Sequence, residues 1–401
     1  MALFDSQVQS IARDALQHAA AGDFVSAEPL FAQVAAERPN SGQALHLLGQ
    51  VRLKLGRFAD AREPLERAAQ FLPKDPAAQV NLAGCLSVLG DHASALAALD
   101  RATALKPGDA AIAHNRGRAL EALGRSDDAV QAYDEALAID HRLLPSLTAR
   151  AALLANRGDW LGALGDLDRA LTMRPDDPRL RLQRGELLLG QGDWMRGLGD
   201  YEARLELPAD RYTPDLPRWQ GELLGGQLLL YPEQSDIESD AALRDTLLLA
   251  RGVDASVGAV VQCSARLAHW LDGPTIHRGA PLKDFVAALP LRSLPHLLGW
   301  TPDTLPQSAP LRLKAKPDGR VGWFSSAAPP PDVTIERDPA QIARCSRVEG
   351  DDVPAVHLAA RLGIPTRLIR SSSPDWLLGP RVGPSPWYSS LEVVDGRTTS
   401  T

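Results

Sequence analysis

The chain has 401 residues, of which 44% are hydrophobic and 23% charged, with a formal net charge of −7. That length accommodates two or three domains with real cores, and the acidic balance argues against a nucleic-acid partner, which would demand a basic footprint. The three cysteines, Cys85, Cys263 and Cys345, are far apart and show no CxxC spacing, so neither a disulfide framework nor a zinc site is expected and a reducing compartment fits.

The opening MALFDSQVQS has no basic or apolar signal region, and no run of about 18 apolar residues follows. No membrane span is therefore expected, and the location read from the sequence is cytoplasmic. Arginine outnumbers lysine while Ala, Leu, Gly and Pro are abundant, a composition that points to a GC-rich bacterial genome.

Over the first half, Gly22, Gly56, Gly90, Gly124, Gly158 and Gly192 recur every 34 residues. At an average glycine usage of about 7%, six in register by chance is on the order of 10⁻⁷. Five residues after each glycine comes a small residue (Ala27, Ala61, Ala95, Ala129, Ala163, Gly197), and four later a bulky one (Phe31, Leu65, Leu99, Tyr133, Leu167, Tyr201). Pro39, Pro73, Pro107 and Pro175 close most units, with His141 taking the slot once. Each feature has a physical job. Glycine permits a left-handed turn between two antiparallel helices, the small residue lets those helices approach, the bulky one fills the space between units, and proline stops the second helix. Trp160 and Trp194 follow their turn glycines by two residues, as Phe24 and Phe58 do, and are assigned to core packing.

This pattern resembles the tetratricopeptide repeat (TPR) in six units, about 8–41, 42–75, 76–109, 110–143, 144–177 and 178–211. The resemblance implies an all-α superhelix over residues 1–211, with a groove lined by the first helix of each pair and occupied by a protein or peptide client. Asn81 and Asn115 hold the sixth position of their units, which faces the groove in TPR proteins. A side-chain amide there both donates to and accepts from a peptide backbone. The other units place Arg13, Leu47, Ala149 and Gln183 at that position, so an asparagine ladder is at best partial. His46, His114, Arg118 and Glu121 are expected on the same face. No HxxxH or HExxH spacing exists, so no metal is assigned.

After Tyr201 the repeat stops, and prolines at 208, 214 and 217 mark a linker, 212–217. Short apolar runs, Gln227–Tyr231, Gly258–Val261, Arg320–Phe324 and Thr366–Ile369, alternate with helical stretches including Asp240–Arg251 and Val353–Leu362. That alternation predicts an α/β domain with a parallel sheet over residues 218–401. RWQGELLGGQLLLYPEQ, ALPLRSLPHLLGWTPDTLPQSAPLRL, VGWFSS, DDVPAVHLAARLGIPTRLI and SPDWLLGPRVGPSPWYSSLEVV, in that order, resemble segments of the heptosyltransferase-like domain of bacterial TPR-fused glycosyltransferases. The resemblance implies a GT-B architecture of two Rossmann-like halves separated by a cleft, with a nucleotide-sugar donor on the second half.

Several features depart from that family. The glycine-rich turn expected after Glu233-Gln234 is replaced by Ser235-Asp236-Ile237-Glu238-Ser239-Asp240, whose carboxylates would repel a phosphate. The 325–341 stretch is too short for the strand–helix units of the family, since one α/β unit needs about 30 residues. CSRVEGDD is polar where a buried strand would be apolar. Asp352 and His357 keep the spacing of the family's donor contacts, although Asp352 as a helix N-cap accounts for the pattern as well. Trp376, Trp387 and Tyr388 are aromatic candidates for stacking on a donor or for packing.

The expectation is thus an interaction scaffold for a protein client with a shortened, non-catalytic GT-B-like domain and no cofactor, possible further partners being a second copy or a glycosyltransferase. The alternative is an active protein glycosyltransferase acting on flagellin or another surface protein. It would use a nucleotide-sugar donor held by Asp352, His357 and Trp376, with Glu238 or Asp240 as general base.

Overall fold

The computed structural model describes residues 5–222, 224–250, 258–265, 267–268, 271, 273–301, 304–305, 320–324, 335–336, 342, 345–351, 353–362, 364–370, 383–385, 387–388 and 390–395. The chain forms two compact units, Met1–Pro175 and Asp176–Thr401.

The first unit is five helical hairpins: α1 (Asp5–Ala20) with α2 (Phe24–Glu37), α3 (Gly42–Lys54) with α4 (Phe58–Phe71), α5 (Pro76–Val88) with α6 (His92–Leu105), α7 (Ala110–Ala122) with α8 (Ser126–Ile139), and α9 (Leu144–Arg157) with α10 (Trp160–Met173). The turn glycines of all five hairpins, and that of the sixth, have φ between +72° and +83°, and no neighbour lies where a Cβ would be on Gly22, Gly56, Gly90, Gly124 or Gly192. Glycine is therefore required for backbone angle, not for space. The small residues Ala27, Ala61, Ala95, Ala129 and Ala163 are fully buried. Behind the bulky position lies a second size match. A Cβ on Gly49 would meet Leu65, and one on Gly117 would meet the Tyr133 ring at 2.5 Å. Aspartates cap many helices: Asp23, Asp91 and Asp159 accept a backbone N–H at the start of a second helix, Asp75 and Asp109 at the start of a first. Such a cap contributes about 1 kcal/mol.

The second unit begins with the sixth hairpin, α11 (Pro178–Gly190) and α12 (Trp194–Tyr201), followed by a 3-10 helix, Glu202–Glu206. The repeat pattern therefore ends near residue 211, while the structural division falls one hairpin earlier. Gly197, standing where the other repeats have alanine, brings the two backbones together: a Cβ on Gly185 would lie 2.6 Å from the Tyr201 amide nitrogen.

Two sheets follow. The first contains β1 (Gln227–Tyr231), β2 (Ala259–Gln262), β3 (Thr275–Ile276) and β4 (Phe285–Pro290), in the order β3-β2-β1-β4 with every pairing parallel. Helix α13 (Asp240–Leu249) follows β1. A four-residue helix, α14 (Leu294–Leu297), follows β4 after one 3-10 turn. The second sheet contains β5 (Val321–Phe324), β6 (Ile335–Glu336), β7 (Arg347–Gly350), β8 (Thr366–Arg370), β9 (Gly383–Pro384) and β10 (Leu391–Asp395), in the order β6-β5-β7-β8-β10-β9, with α15 (Pro354–Arg361) between β7 and β8. Among the described residues of this sheet, only the β9–β10 pairing is antiparallel. Leu228, Leu229 and Leu230 of β1 are fully buried, each stabilising by roughly 1.5–3 kcal/mol relative to exposure.

The four apolar runs and two helical stretches named from the sequence appear as β1, β2, β5, β8, α13 and α15. The polar CSRVEGDD segment departs from expectation, because it contains β7, a central strand. Val348 is buried and Glu349 lies beside Arg367 of β8, its register partner. Glu349 accepts ion pairs from Arg347 at 3.1 Å and Arg367 at 3.8 Å. Cross-strand charge pairing thus lets a sequence without apolar continuity occupy the middle of a sheet.

One apolar core joins these parts. It includes Leu189, Trp194, Leu198 and Tyr201 of the sixth hairpin, Leu228, Leu230 and Leu289 of the first sheet, and Val348, Leu368 and Val393 of the second.

Candidate functional site

The first helices of the hairpins carry the residues predicted to meet a client. Helix α3 touches α5 as well as its own partner α4, so these helices form one layer of the first unit. Asn81 on α5 is half-buried and its Nδ2 lies 2.7 Å from His46 Nε2 on α3. His46 is buried, with Gln50 at 3.4 Å and Asp75 at 3.9 Å. His114 on α7 shares a 2.9 Å hydrogen bond with the buried Ser146 hydroxyl of α9. Glu121 accepts from the Tyr133 hydroxyl at 2.9 Å. Much of the predicted polar face is therefore engaged in tying helices together, His46 with Asn81 and His114 with Ser146 across repeats and Glu121 with Tyr133 within one.

Two of the named groups are not so engaged. Asn115 is half-buried and Arg118, one turn along α7, is exposed. Neither side chain has a hydrogen-bond or ion-pair partner among the described residues. Asn81, having spent one donor on His46, retains its carbonyl and a second N–H.

Both imidazoles are held below the ordinary histidine value of 6.5. For His46 the cause is burial, opposed by Asp75; for His114 it is burial and then the charge of Arg118, opposed by Glu121. The unfolded chain binds these protons more readily than the folded one. Their effect is thus absent above pH 6.5 and becomes destabilising as pH falls below it. Urea midpoints of the full chain are expected to decrease from pH 7.5 to pH 5, and His46→Gln with His114→Gln should flatten that decline.

A row of arginines that the sequence reading did not single out runs through the same hairpins. Arg116, Arg150 and Arg184 are spaced by 34 residues. Arg150 grips the buried Asp166 with two hydrogen bonds of 2.7 and 2.6 Å and also binds Asp134 of the preceding hairpin. Arg116 reaches Asp100 at 2.8 Å, and Arg184 reaches Asp200 at 2.6 Å.

Of the candidate donor and catalytic residues in the second unit, His357, Glu238 and Asp240 are among the described residues. Asp352 and Trp376 lie outside the described residues. His357 on α15 is 0% exposed, with its ring 6.1 Å from that of Tyr388, so it has no open edge for a diphosphate. Tyr388 and Trp387 are buried, and Trp387 packs on Trp194 of the sixth hairpin at 5.9 Å. Glu238 and Asp240 are exposed. Asp240 opens α13, whose cap is the Ser239 hydroxyl accepting from Ala242. A carboxylate in that first turn complements the helix dipole. The loop after β1 is held by a cation in place of glycine turns: Arg278 donates to the carbonyls of Pro232, Gln234 and Ser235 at 3.0, 2.7 and 2.7 Å.

Comparisons with known proteins agree with the repeat geometry. Residues 18–83 match one tetratricopeptide repeat family, and residues 86–142 and 148–212 match a second. The repeats of this chain are tetratricopeptide repeats. Among solved structures, the chain is similar to MamA (20% identity, 44% of this chain and 96% of that one, TM-score 0.41). It is also similar to a tetratricopeptide repeat protein from Parabacteroides merdae (20% identity, 51% and 82%, TM-score 0.45) and to a thermophilic TPR protein in Thermus thermophilus (26% identity, 45% and 99%, TM-score 0.36). No curated protein matches the chain. No helix among the described residues is long and apolar enough to cross a membrane.

Proposed function

We propose that this protein is an interaction scaffold that holds a client polypeptide along the first-helix face of its repeats, centred on α7. The observation that carries this reading is the pair Asn115 and Arg118. On a face where His46, Asn81, His114 and Glu121 are tied between helices, these two offer an amide and a cation with no partner among the described residues. An amide engages any peptide backbone, and a guanidinium selects a carboxylate. The client is therefore an extended segment with an acidic side chain or a free C-terminus near that point. Affinity capture with the full chain, from an extract of its source cells, is expected to retain a client that Asn115→Ala with Arg118→Ala releases at least tenfold more readily. Unchanged retention by the double variant would sink this assignment.

The α/β part is read as a GT-B-like domain that has lost catalysis. Two sheets, parallel but for the β9–β10 pairing, support the architecture. Against activity stand the apolar core that runs from one sheet to the other where a substrate cleft would open, the buried His357, and a β1–α13 loop without glycines. A cytoplasmic location fits this role.

A further inference from the structure

The two faces of the first sheet are covered differently. Leu228 and Leu230 enter the main core, whereas Leu229 and Tyr231 belong to a separate cluster with Val260, Phe285 and Ala288, met by Tyr212 and Leu216. Parallel sheets are ordinarily covered by helices on both faces. Here an irregular strap, residues 207–218, takes that place, fastened by the Tyr212 N–H donating to the Glu233 carbonyl at 2.9 Å and by a bridge between Arg211 and Gln234. Under the strap, at the carboxyl ends of β1 and β4, a cleft of about 320 Å³ remains, walled by Leu207, Pro214, Leu216, Ala288 and Pro290. Its volume and position are those of a small-ligand site in an α/β fold.

Three polar side chains that line this cleft have capacity left unused among the described residues. Glu233 is 8% exposed. Its Oε2 receives both contacts from Arg204, at 3.1 and 3.0 Å, while its Oε1 is buried without a hydrogen bond. A buried carboxylate oxygen normally finds a donor. The Tyr231 hydroxyl has no hydrogen bond, and burial followed by the nearby Glu233 charge pushes it up to about 12, so it stays a neutral donor. Arg211 has no carboxylate. Because Arg204 and Arg218 already answer Glu233 and Glu202, the charge of Arg211 is left over.

We propose that this cleft binds a small hydroxylated organic anion, with its acidic group on Arg211 and a hydroxyl donating to Glu233 Oε1 beside the Tyr231 hydroxyl. Calorimetric titration of the full chain with gluconate tests it, with glucose as the control lacking an anion and hexanoate as the control lacking hydroxyls. Saturable one-to-one binding of gluconate is expected, at least tenfold tighter than either control. Arg211→Gln and Tyr231→Phe should each weaken it about tenfold, the equivalent of 1.4 kcal/mol. Neither change touches the Arg204–Glu233 pair, so both variants should fold. Absence of saturable binding by the unaltered chain, equal binding of the controls, or unchanged binding by both variants would overturn the proposal.

Discussion

Arg292→Met is expected to destabilise the second unit by about 3 kcal/mol, the lower end of the range for breaking a buried ion pair. Asp245 on α13 is 1% exposed, and Arg292 spans both of its carboxylate oxygens at 2.6 and 3.0 Å. Removal of the guanidinium leaves Asp245 with the Gln234 amide at 2.9 Å and Arg244 at 3.3 Å, too little to replace a two-point charged contact. The same side chain donates to the Tyr201 hydroxyl at 2.8 Å, so the substitution also loosens the sixth hairpin from the sheet that follows it. Seven of the eight tryptophans lie beyond Pro175, and tryptophan fluorescence in a urea series therefore reports this unit. Asp245→Asn added to Arg292→Met should recover part of the loss, because the penalty comes from the stranded charge. A midpoint unchanged in Arg292→Met would show that the pair contributes nothing.

Arg150→Leu should cost the first unit a comparable amount, roughly 3 kcal/mol. Asp166 is 2% exposed, and without Arg150 the one cation that remains paired with it among the described residues is Arg169, at 3.6 Å. Arg150 also links its hairpin to the preceding one through Asp134. Stability in a repeat array is a sum of unit and neighbour contributions, so loss of this link should broaden the transition as well as lower its midpoint, followed by helical circular dichroism. Arg116→Leu is the matched control. Its partners Asp100 and Glu135 are exposed, and exposed pairs contribute little.

The repeats were legible because each of their features is local. A positive φ at Gly124, a fully buried Ala129 and a filled space at Tyr133 are consequences of single letters at fixed spacing. The arginine row carried the same 34-residue period, with Asp100, Asp134 and Asp168 in step, so it was present in the sequence as well. Charged residues at helical spacing read as a solvated face until their partners are known to be buried. Strand β7 was hidden for a related reason: Glu349 is acceptable in a central strand because Arg347 of its own strand and Arg367, from a strand 18 residues later, both pair with it. Glu233 shows the same limit. Its letter marked the entry to a loop, but its pairing with Arg204 and its unused oxygen depend on contacts across the second unit. His46 and Asn81 are expected on one face from the repeat register, but their hydrogen bond to each other, which sets what remains for a client, is a property of neighbouring repeats together.

On the proposed function, the first-helix face of the repeats, not their outer face, receives polypeptide. Photo-crosslinking separates the two most directly. A benzophenone side chain at position 118 of the full chain, exposed on α7, is compared with one at position 63, exposed on α4. Capture of client from position 118 and little from position 63 is the predicted result. Equal capture at both, or capture from position 63 alone, would contradict it.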